Sequence, residues 1–501
     1  MPKTADTDVV IVGAGPTGLM LALCLAKQGV RSTIVDSKTG PTRESRALIL
    51  HARTMEILDQ LGLADVVLDE VVIAETVRPG FEKRAFSRIN LRRLGRGLTP
   101  FPRLYVLEQS ATERILGEAV AATGTRIWWQ HEFVSIETDA APGVRVTTRT
   151  AAGDLSTFSA RYCVGADGSS SPVRKSVDIP FEGTTNAATF YVIDAAGVAG
   201  LDLDAINVRL GRRDFLLGFP MASVGSQRLL GTIRGDADDV PTESAVREVL
   251  RRTFGVDYEE SRWYSTYRVH HRVARTFRAG PVFLAGDAAH VHSPVGAQGM
   301  NTGLQDAHNL AAALTDVLHR GAPESRLDRY GAERRPVAQR LVSTTDTMFG
   351  FITSERRMPT FVRRAIIRFA APVFAVVVPR IRASSRLFGY LSQTRIHYRM
   401  SSTPSRQRHD IIGRRLPWNG DNYDSLGSLE WQVHTYGTAA ADAPARIAET
   451  LDLPLRNYPV IRNEMFQPGT LYLVRPDGFV AATSPPANVH DLFELVPRSV
   501  Q

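Results

Sequence analysis

The sequence is poor in cysteine and has no long apolar run. Only two cysteines occur in 501 residues, Cys24 and Cys163, which excludes a disulfide framework. The most apolar interior stretch, FAAPVFAVVVP from Phe369, is far shorter than the roughly 20 residues that span a bilayer. The opening MPKTADTDVVIVGAG has no secretory apolar segment, because its valines run directly into a glycine turn. We therefore expect a cytoplasmic protein without stable membrane insertion.

Composition and charge exclude further classes. The chain is 43% hydrophobic and 22% charged, which is typical of globular proteins and excludes collagen-like or largely disordered chains. Its length predicts about three domains. The net charge of +8 comes mostly from arginines dispersed along the chain. A solvated surface explains this pattern better than a nucleic-acid site, and no nucleic-acid partner is expected.

The segment DVVIVGAGPTGLMLALCLAKQGVRSTIVD, from Asp8 to Asp36, has the pattern of a strand, a helix and a second strand. In such a unit Gly13 makes a tight turn, Gly15 lets a pyrophosphate approach the backbone, and Gly18 lets the helix pack against the strand. Asp36 is placed to accept a hydrogen bond from a ribose hydroxyl. The unit predicts a cofactor with an ADP half and does not distinguish FAD from NAD.

A second motif, GDAAHVHSPVGAQGMNTG from Gly286, lies between a predicted strand and a predicted helix. Asp287, His290 and His292 are spaced so that they could hold zinc. The alternative is that Asp287 binds the hydroxyls of the ribityl chain of FAD, while the following glycines expose amides ahead of a helix N-terminus that stabilises negative charge on a reduced flavin. No further Cys or His completes a recognised zinc spacing. We therefore favour the flavin interpretation, with the two histidines shaping the loop and no metal.

Three further segments carry a family resemblance: GADGSSSPVRK from Gly165, RESRALILHARTMEILDQLGL from Arg43 and LYVLEQSATERIL from Leu104. Together with the two glycine motifs, they resemble the FAD-dependent aromatic hydroxylases, the single-component flavin monooxygenases that include phenol hydroxylase and the polyketide hydroxylases. The resemblance covers the greater part of the chain in the family's order.

The resemblance implies FAD as the cofactor, with NADPH or NADH as co-substrate and dioxygen as oxidant. At the ADP half it implies Gly13, Ala14, Gly15, Pro16, Gly18 and Asp36. The resemblance further implies that Arg46, Gln109 and Asp167 contact FAD. It places the backbone near Val134 at the adenine, and Gly286 with Asp287 at the ribityl chain. Around the flavin ring it implies Pro294, Gly296, Gly299, Met300 and Asn301.

The family resemblance and the strand patterns together predict an α/β fold. A Rossmann-like FAD-binding domain (1–180 and 270–345) carries an inserted antiparallel β-sheet substrate domain (181–269), which residues 76–105 are candidates to join. A helical connecting region (346–404) and a thioredoxin-like domain without a CxxC motif (405–501) follow. Residues 346–404 are basic and amphipathic. This segment could therefore lie on a membrane surface, as an alternative to packing on the FAD-binding domain. The C-terminal domain is expected to be structural or to contact a second subunit, in a monomer or homodimer.

Substrate and catalytic residues are less defined. Tyr191, Phe215 and Phe219 on predicted strands, together with Pro294, are candidates to contact a flat aromatic substrate, although aromatic residues in strands more often form the core. His51, Tyr191 and His270 are candidate acid–base groups, although structural roles are favoured for all three.

The reaction that the resemblance implies uses NAD(P)H to reduce FAD. A flavin C4a-hydroperoxide then transfers one oxygen atom to a phenolic or polycyclic aromatic, including polyketide-type compounds of antibiotic biosynthesis. Three alternatives remain open at this point, because a scaffold does not fix the chemistry. They are a Baeyer–Villiger oxygenase, a flavin dehydrogenase, and a non-catalytic flavoprotein that binds a reactive aromatic.

Overall fold

The computed structural model describes residues 4–42, 47–92, 94–139, 143–212, 214–233, 241–292, 298–353, 388–398, 411–437, 449, 452–484 and 496. Most of the predicted helical connecting region, and with it the membrane-surface alternative, lies outside these residues. Among the described helices, none is both long and apolar enough to cross a bilayer.

The helices are α1 (Pro16–Lys27), α2 (Ala52–Gln60), α3 (Ala64–Glu70), α4 (Gln109–Ala122), α5 (Pro172–Ser176), α6 (Glu243–Val249), α7 (Gly299–His319) and α8 (Asp328–Thr353). The strands up to residue 165 are β1 (Thr4–Val12), β2 (Ser32–Val35), β3 (Ile49–Leu50), β4 (Val72–Ala74), β5 (Thr76–Phe81), β6 (Arg84–Ala85), β7 (Ile89–Asn90), β8 (Leu104–Val106), β9 (Arg126–Trp128), β10 (His131–Glu137), β11 (Val144–Thr150) and β12 (Leu155–Gly165). The later strands are β13 (Phe181–Ala196), β14 (Ile206–Leu210), β15 (Phe215–Pro220), β16 (Ser226–Ile233), β17 (Glu260–Ala274), β18 (Arg278–Ala279), β19 (Val282–Leu284), β20 (His290–Val291), β21 (Gln432–Tyr436), β22 (Leu455–Tyr458), β23 (Leu471–Val474) and β24 (Val480–Ser484).

The first large sheet is built around β1. Its parallel pairings run β9–β2–β1–β12–β19. Strand β11 pairs antiparallel with β12, and β10 pairs antiparallel with β11. Val9, Val10 and Ile11 of β1 are completely buried, as expected for a parallel strand covered on both faces. Helix α1 packs against both α7 and α4. The carboxyl ends of β1, β2 and β12 therefore meet at one edge, where the glycine turns lie.

The second large sheet has the order β20–β17–β13–β16–β15–β14–β5–β6, with β7 beside β5. Its pairings are antiparallel except that between β14 and β5. Strands β5, β6 and β7 come from residues 76–90, so this part of the chain contributes to the sheet that residues 181–269 were predicted to form. Strand β17 continues past residue 269 to Ala274. One face of β14–β17 is turned toward the glycine turns of the first sheet, which is what creates the cavity described below.

The C-terminal sheet has the order β22–β21–β23–β24. Strands β21 and β22 pair in parallel, whereas β23 is antiparallel to both β21 and β24. The thioredoxin-like interpretation of this domain stays a prediction. Its core contains stacked rings, such as Tyr436 on Phe466 with centroids 3.6 Å apart.

A buried ion cluster fixes the C-terminal sheet to helices α2, α7 and α8. Arg475 donates to both carboxylate oxygens of Glu333 in α8, at 2.8 and 3.0 Å. Asn309 of α7 donates to Glu333 at 2.8 Å, and Arg53 of α2 donates to the carbonyl of Asp477 at 2.7 Å. All five side chains are at least 97% buried. Since each charge has a partner, the cluster holds the C-terminal sheet in one position against α2, α7 and α8.

Glu333 makes this contact sensitive to pH. Burial by itself raises the pKa of Glu333, but the charges of Arg475 and Arg329 outweigh it and lower that pKa from 4.5 to about 2. A carboxyl whose pKa is lower in the folded than in the unfolded state stabilises the fold above the unfolded pKa, and this contribution is lost as the pH falls toward the folded pKa. The contribution of Glu333 is therefore present at pH 7 and declines from about pH 4.5 to pH 2.

We predict that Glu333→Gln lowers the free energy of unfolding at pH 7 by about 3–5 kcal/mol, because it removes the carboxylate that Arg475 shares with Arg329 and leaves the buried Arg475 paired with Asp477 alone. The variant should also lose less stability than the wild type between pH 4.5 and pH 2. Urea unfolding across that pH range measures both effects. Glu118→Gln is the control, since Glu118 pairs with Arg114 on the surface with its side chain 65% exposed. Equal stability of the Glu333 variant and the wild type would contradict the assignment.

Candidate active site

A single cavity of about 1220 Å3 is lined by residues of both large sheets. One end is formed by the carboxyl ends of β1, β2 and β12 and the start of α1. The other end is formed by β14, β15, β16 and β17. Pockets for small molecules and cofactors commonly measure about 300–1,000 Å3. This cavity is therefore large enough for a cofactor and a second ligand together.

The turn between β1 and α1 is packed tightly on one side and open on the other. Gly13 has φ +109°, and a Cβ there would lie 2.3 Å from the carbonyl oxygen of Ala166. A Cβ on Gly18 would lie 1.9 Å from the carbonyl oxygen of Gly13, whereas one on Gly15 would meet nothing within 4 Å among the described residues. Gly15 and Pro16 line the cavity, and Gly15, the N-cap residue of α1, has no side chain to cap the helix. The free amides of this helix end therefore form a site for an anion such as a pyrophosphate.

Asp36 lies at the end of β2 and lines the same end of the cavity. Its carboxylate accepts hydrogen bonds from the backbone N–H of Ala14 at 2.6 Å and of Lys38 at 2.8 Å. Asp36 thus supports the glycine turn as well as facing the cavity. Ala14 and Gly18 do not line the cavity and instead shape the turn.

Several residues that line the cavity near Asp36 were not predicted. Lys38, Glu113 and His131 line the cavity there, and the Lys38 ammonium lies 3.8 Å from the carboxylates of both Asp36 and Glu113. Lys38 follows Asp36 by two residues, so the sequence held a signal for it. Glu113 and His131 reach the site from α4 and β10, and no local pattern marks them.

The remaining predicted residues of this end are placed as follows. Gln109 lines the cavity and donates to Glu113 at 2.9 Å. Glu132 and Phe133 line it, whereas the adjacent Val134 does not and is 39% exposed. Arg46 lies outside the described residues.

Asp167 lines the cavity beside the start of α5. Its Oδ2 accepts from the backbone N–H of Val173 at 3.0 Å, and its Oδ1 is buried. Burial raises the pKa of Asp167 even though hydrogen bonds from Ser171 and Val173 oppose that rise. Groups of the protein therefore hold this carboxyl at the wall of the cavity.

The Gly286–Asp287 turn packs directly against the start of α1. Gly286 has φ +60°, and a Cβ there would lie 2.5 Å from the hydroxyl of Thr17; a Cβ on Gly303 of α7 would lie 2.4 Å from the same atom. Only glycine allows this approach at both positions. Gly286 is buried behind the turn, whereas Asp287 is exposed and lines the cavity.

His290 is fixed by protein groups. Its Nε2 lies 2.6 Å from Oδ2 of Asp306, and Oδ1 of Asp306 accepts from Nε of Arg334 at 2.6 Å. Burial by itself raises the pKa of Asp306, but the charge of Arg334 and the contact with His290 hold it below its usual value. His292 lines the cavity. Among the described residues, no group of three His, Cys, Asp or Glu side chains could hold a metal ion.

We predict that elemental analysis of the purified protein shows no stoichiometric zinc or iron, because His290 is engaged by Asp306 rather than directed at a shared metal position. The flavin absorbance of the same sample gives the protein content with which the amount of metal is compared. One full equivalent of either metal would contradict the flavin interpretation of this loop.

The predicted residues around the flavin ring divide into three groups. Gly299 and Met300, at the start of α7, line the cavity. Asn301 is completely buried; its Oδ1 accepts from the backbone N–H of His51 at 2.8 Å, and its Nδ2 donates to the carbonyl of Ile49 at 2.8 Å. The Asn301 side chain therefore fixes α7 to the start of α2. Pro294 and Gly296 lie outside the described residues.

The far end of the cavity is a mostly apolar wall. Its apolar residues are Val77, Leu104, Ile206, Val208, Leu217, Phe219, Leu230, Trp263, Tyr267 and Val269. Arg228 interrupts this wall, but its charge is matched by Asp194, with two N–O distances of 2.6 Å. Such a wall suits a flat, largely apolar ligand.

Two of the aromatic candidates lie elsewhere. Tyr191 is completely buried in a core with residues of α6, and burial raises the pKa of its hydroxyl. Phe215 is buried against Phe190, with ring centroids 5.9 Å apart. Neither lines the cavity, whereas Phe219 does. Of the acid–base candidates, His51 and His270 line the cavity, and Nδ1 of His270 lies 3.0 Å from the hydroxyl of Thr185.

Comparison with known proteins agrees with this geometry. Residues 6–345 match the family model described as an FAD binding domain. The chain is 37% identical to 6-methylpretetramide 4-monooxygenase of Streptomyces rimosus, over 79% of this chain and 71% of that protein. It is 32% identical to rifampicin monooxygenase of Streptomyces venezuelae, over 94% of each. Among solved structures, the anhydrotetracycline hydroxylase OxyS of Streptomyces rimosus superposes with a TM-score of 0.75 at 28% identity, covering 97% of each chain.

The chain therefore belongs to the FAD-dependent aromatic hydroxylases. It is an FAD-dependent monooxygenase that uses NAD(P)H and dioxygen. The family, the fold class and the cofactor predicted from the sequence motifs are confirmed.

We predict opposite outcomes for two substitutions in the first glycine turn. Gly15→Ala should leave the thermal stability of the cofactor-free protein unchanged, because the new Cβ meets no protein atom, while it weakens FAD binding by at least about tenfold, since that Cβ occupies the space where a pyrophosphate approaches. Gly18→Ala should lower thermal stability, because its Cβ collides with the Gly13 carbonyl. FAD titration and thermal unfolding distinguish the two. Unaltered FAD affinity in Gly15→Ala would contradict the placement of the pyrophosphate.

Proposed function

We propose that this monooxygenase hydroxylates a polycyclic phenolic compound of the polyketide type. The observation that carries the proposal is the cavity: its polar end suits FAD, and its apolar wall from β14 to β17 offers a flat surface beyond the cofactor. The names of the relatives support the same substrate class. They include monooxygenases of 6-methylpretetramide, rifampicin and pentachlorophenol.

The proposed placement of FAD uses four features of the cavity. The pyrophosphate would lie at the N-terminus of α1 beside Gly15, and Asp36 would hold the adenosine ribose. Asp287 would bind the ribityl chain. The flavin ring would lie beside Gly299 and Met300.

Bound FAD accepts reducing equivalents from NAD(P)H and activates dioxygen. The chain itself binds, orients and shields the reactants. The side chain of Gln298, the N-cap residue of α7, makes no cap hydrogen bond, and the helix dipole favours negative charge on a ring at Gly299 and Met300. The apolar wall keeps water from the substrate. Four histidines of the described residues line the cavity. Of these, His51 and His270 are the predicted acid–base candidates that could take a proton from a phenol, with His270 held by Thr185.

The proposal is tested by measuring NADPH and NADH oxidation with a panel of polycyclic phenols under isotopically labelled dioxygen. We expect ligand-stimulated oxidation and one labelled oxygen atom on an aromatic carbon of the product. Oxygen inserted into a carbon–carbon bond would establish a Baeyer–Villiger outcome instead. Oxidation of the substrate without label in the product would establish a dehydrogenase. No stimulation by any polycyclic phenol would contradict the proposed substrate class.

A substitution in the apolar wall separates substrate binding from cofactor binding. Leu217→Trp should raise the dissociation constant of the stimulating phenol by about tenfold or more, because the indole fills space that the ligand needs, while FAD affinity stays at the wild-type value. Val224→Trp is the control, since Val224 is fully exposed on the turn between β15 and β16. Fluorescence titrations with phenol and with FAD give both constants. Unchanged phenol affinity in Leu217→Trp would remove this wall from the substrate site.

A further inference from the structure

The residues Phe388–Tyr398, here called the strap, pass the start of α7 on their way to the C-terminal domain. Gln393 of the strap donates from Nε2 to the hydroxyl of Thr302 at 2.9 Å and accepts from the side chain of Gln305. The backbone N–H of Arg53 donates to the strap carbonyl of Ser392 at 3.3 Å. The strap therefore holds the first two turns of α7, which include Gly299 and Met300 at the cavity.

A second set of contacts joins the end of the strap to the Gly286–Asp287 turn. Arg334 donates from Nη1 to the hydroxyl of Tyr398 at 3.1 Å and from Nη2 to the carbonyl of Thr302 at 3.1 Å. The same guanidinium donates from Nε to Asp306, whose other oxygen accepts from the backbone N–H of Gly286 at 3.2 Å. A continuous, buried chain of polar contacts thus runs from Tyr398 to Gly286.

Tyr398 is itself anchored in the C-terminal domain. Its ring stacks on Phe479 with centroids 4.3 Å apart, and its backbone N–H donates to the carbonyl of Gly413 at 2.7 Å. Burial raises the pKa of Tyr398 despite the opposing charge of Arg334, so its hydroxyl stays protonated at neutral pH. Neither Tyr398 nor Gln393 lines the cavity.

We propose that Gln393 and Tyr398 are positioning residues of the flavin site. Through Thr302 and Arg334 they hold the first turn of α7 and the Gly286–Asp287 turn in the arrangement that binds FAD. The C-terminal domain thereby contributes to cofactor affinity through residues outside the cavity. This inference depends on the proposed placement of FAD beside Asp287, Gly299 and Met300.

The test compares Tyr398→Phe and Gln393→Leu with Tyr458→Phe. The first keeps the ring stacked on Phe479 and removes only the hydroxyl. The control removes a hydroxyl that donates to Ser425 at 3.0 Å within the C-terminal domain, away from α7. Each holoenzyme is diluted through a concentration series, and FAD release is followed by the rise in flavin fluorescence. Thermal unfolding is measured with and without added FAD.

We expect the FAD dissociation constant to rise by about 3- to 10-fold in Tyr398→Phe and in Gln393→Leu, with a smaller increase in melting temperature on adding FAD. Tyr458→Phe should keep wild-type FAD affinity even where its melting temperature falls. Lower melting temperatures with unchanged FAD affinity in both strap variants would overturn the proposal, since the contacts would then be purely structural.

Asp287→Ala, measured in parallel, separates this outcome from a failure of the proposed function. Weaker FAD binding in Asp287→Ala together with unchanged affinity in the strap variants would overturn only the positioning role. Unchanged affinity in Asp287→Ala would overturn the placement of the cofactor on which the positioning role rests.

Discussion

The site depends on close backbone packing where two helices begin. Glycines at positions 13, 18, 286 and 303 leave no side chain between the first glycine turn, the Gly286–Asp287 turn and the helices α1 and α7. Both helix N-termini can therefore open onto one cavity. Since uncapped helix ends and glycine turns carry unpaired amides, the cavity favours an elongated ligand with negative charge. FAD, the cofactor of the family, has this character along its pyrophosphate and in its reduced ring.

The local sequence pattern predicted the site residues that belong to one strand–helix–strand unit. Gly13, Gly15, Gly18 and Asp36 belong to one strand–helix–strand unit, so their spacing alone defines their geometry. Glu113 and His131 come from distant elements and carry no local signal. Asn301 was predicted beside the ring because it belongs to the glycine motif, yet its side chain is used to join α7 to α2.

Side chains alternate between the two faces of a strand. This explains why aromatic candidates that line the cavity were hard to distinguish from aromatic residues of the core. Tyr191 follows Phe190 on β13 and so points to the opposite face, into the core with α6. Phe215 shares the face of Leu217 and Phe219 on β15, but Phe190 covers it. A period of two residues gives the face of a side chain, whereas the neighbouring strand decides whether that side chain reaches a cavity.

The C-terminal domain has no cysteine, and its contacts point to an architectural role. Buried charges such as Glu333 and Arg475 are costly to desolvate, so they define one docking position more than they add stability. The docked position brings the strap against α7, and Leu391 of the strap lines the cavity. The strap thus contributes to the wall of the active site.

The most direct test of the account is a crystal structure of the purified, yellow holoenzyme. The account predicts the FAD pyrophosphate at the N-terminus of α1, its ribityl chain at Asp287 and its ring beside Gly299 and Met300, with the wall of β14 to β17 left for substrate. FAD bound in another orientation, or with its ring away from the start of α7, would contradict it.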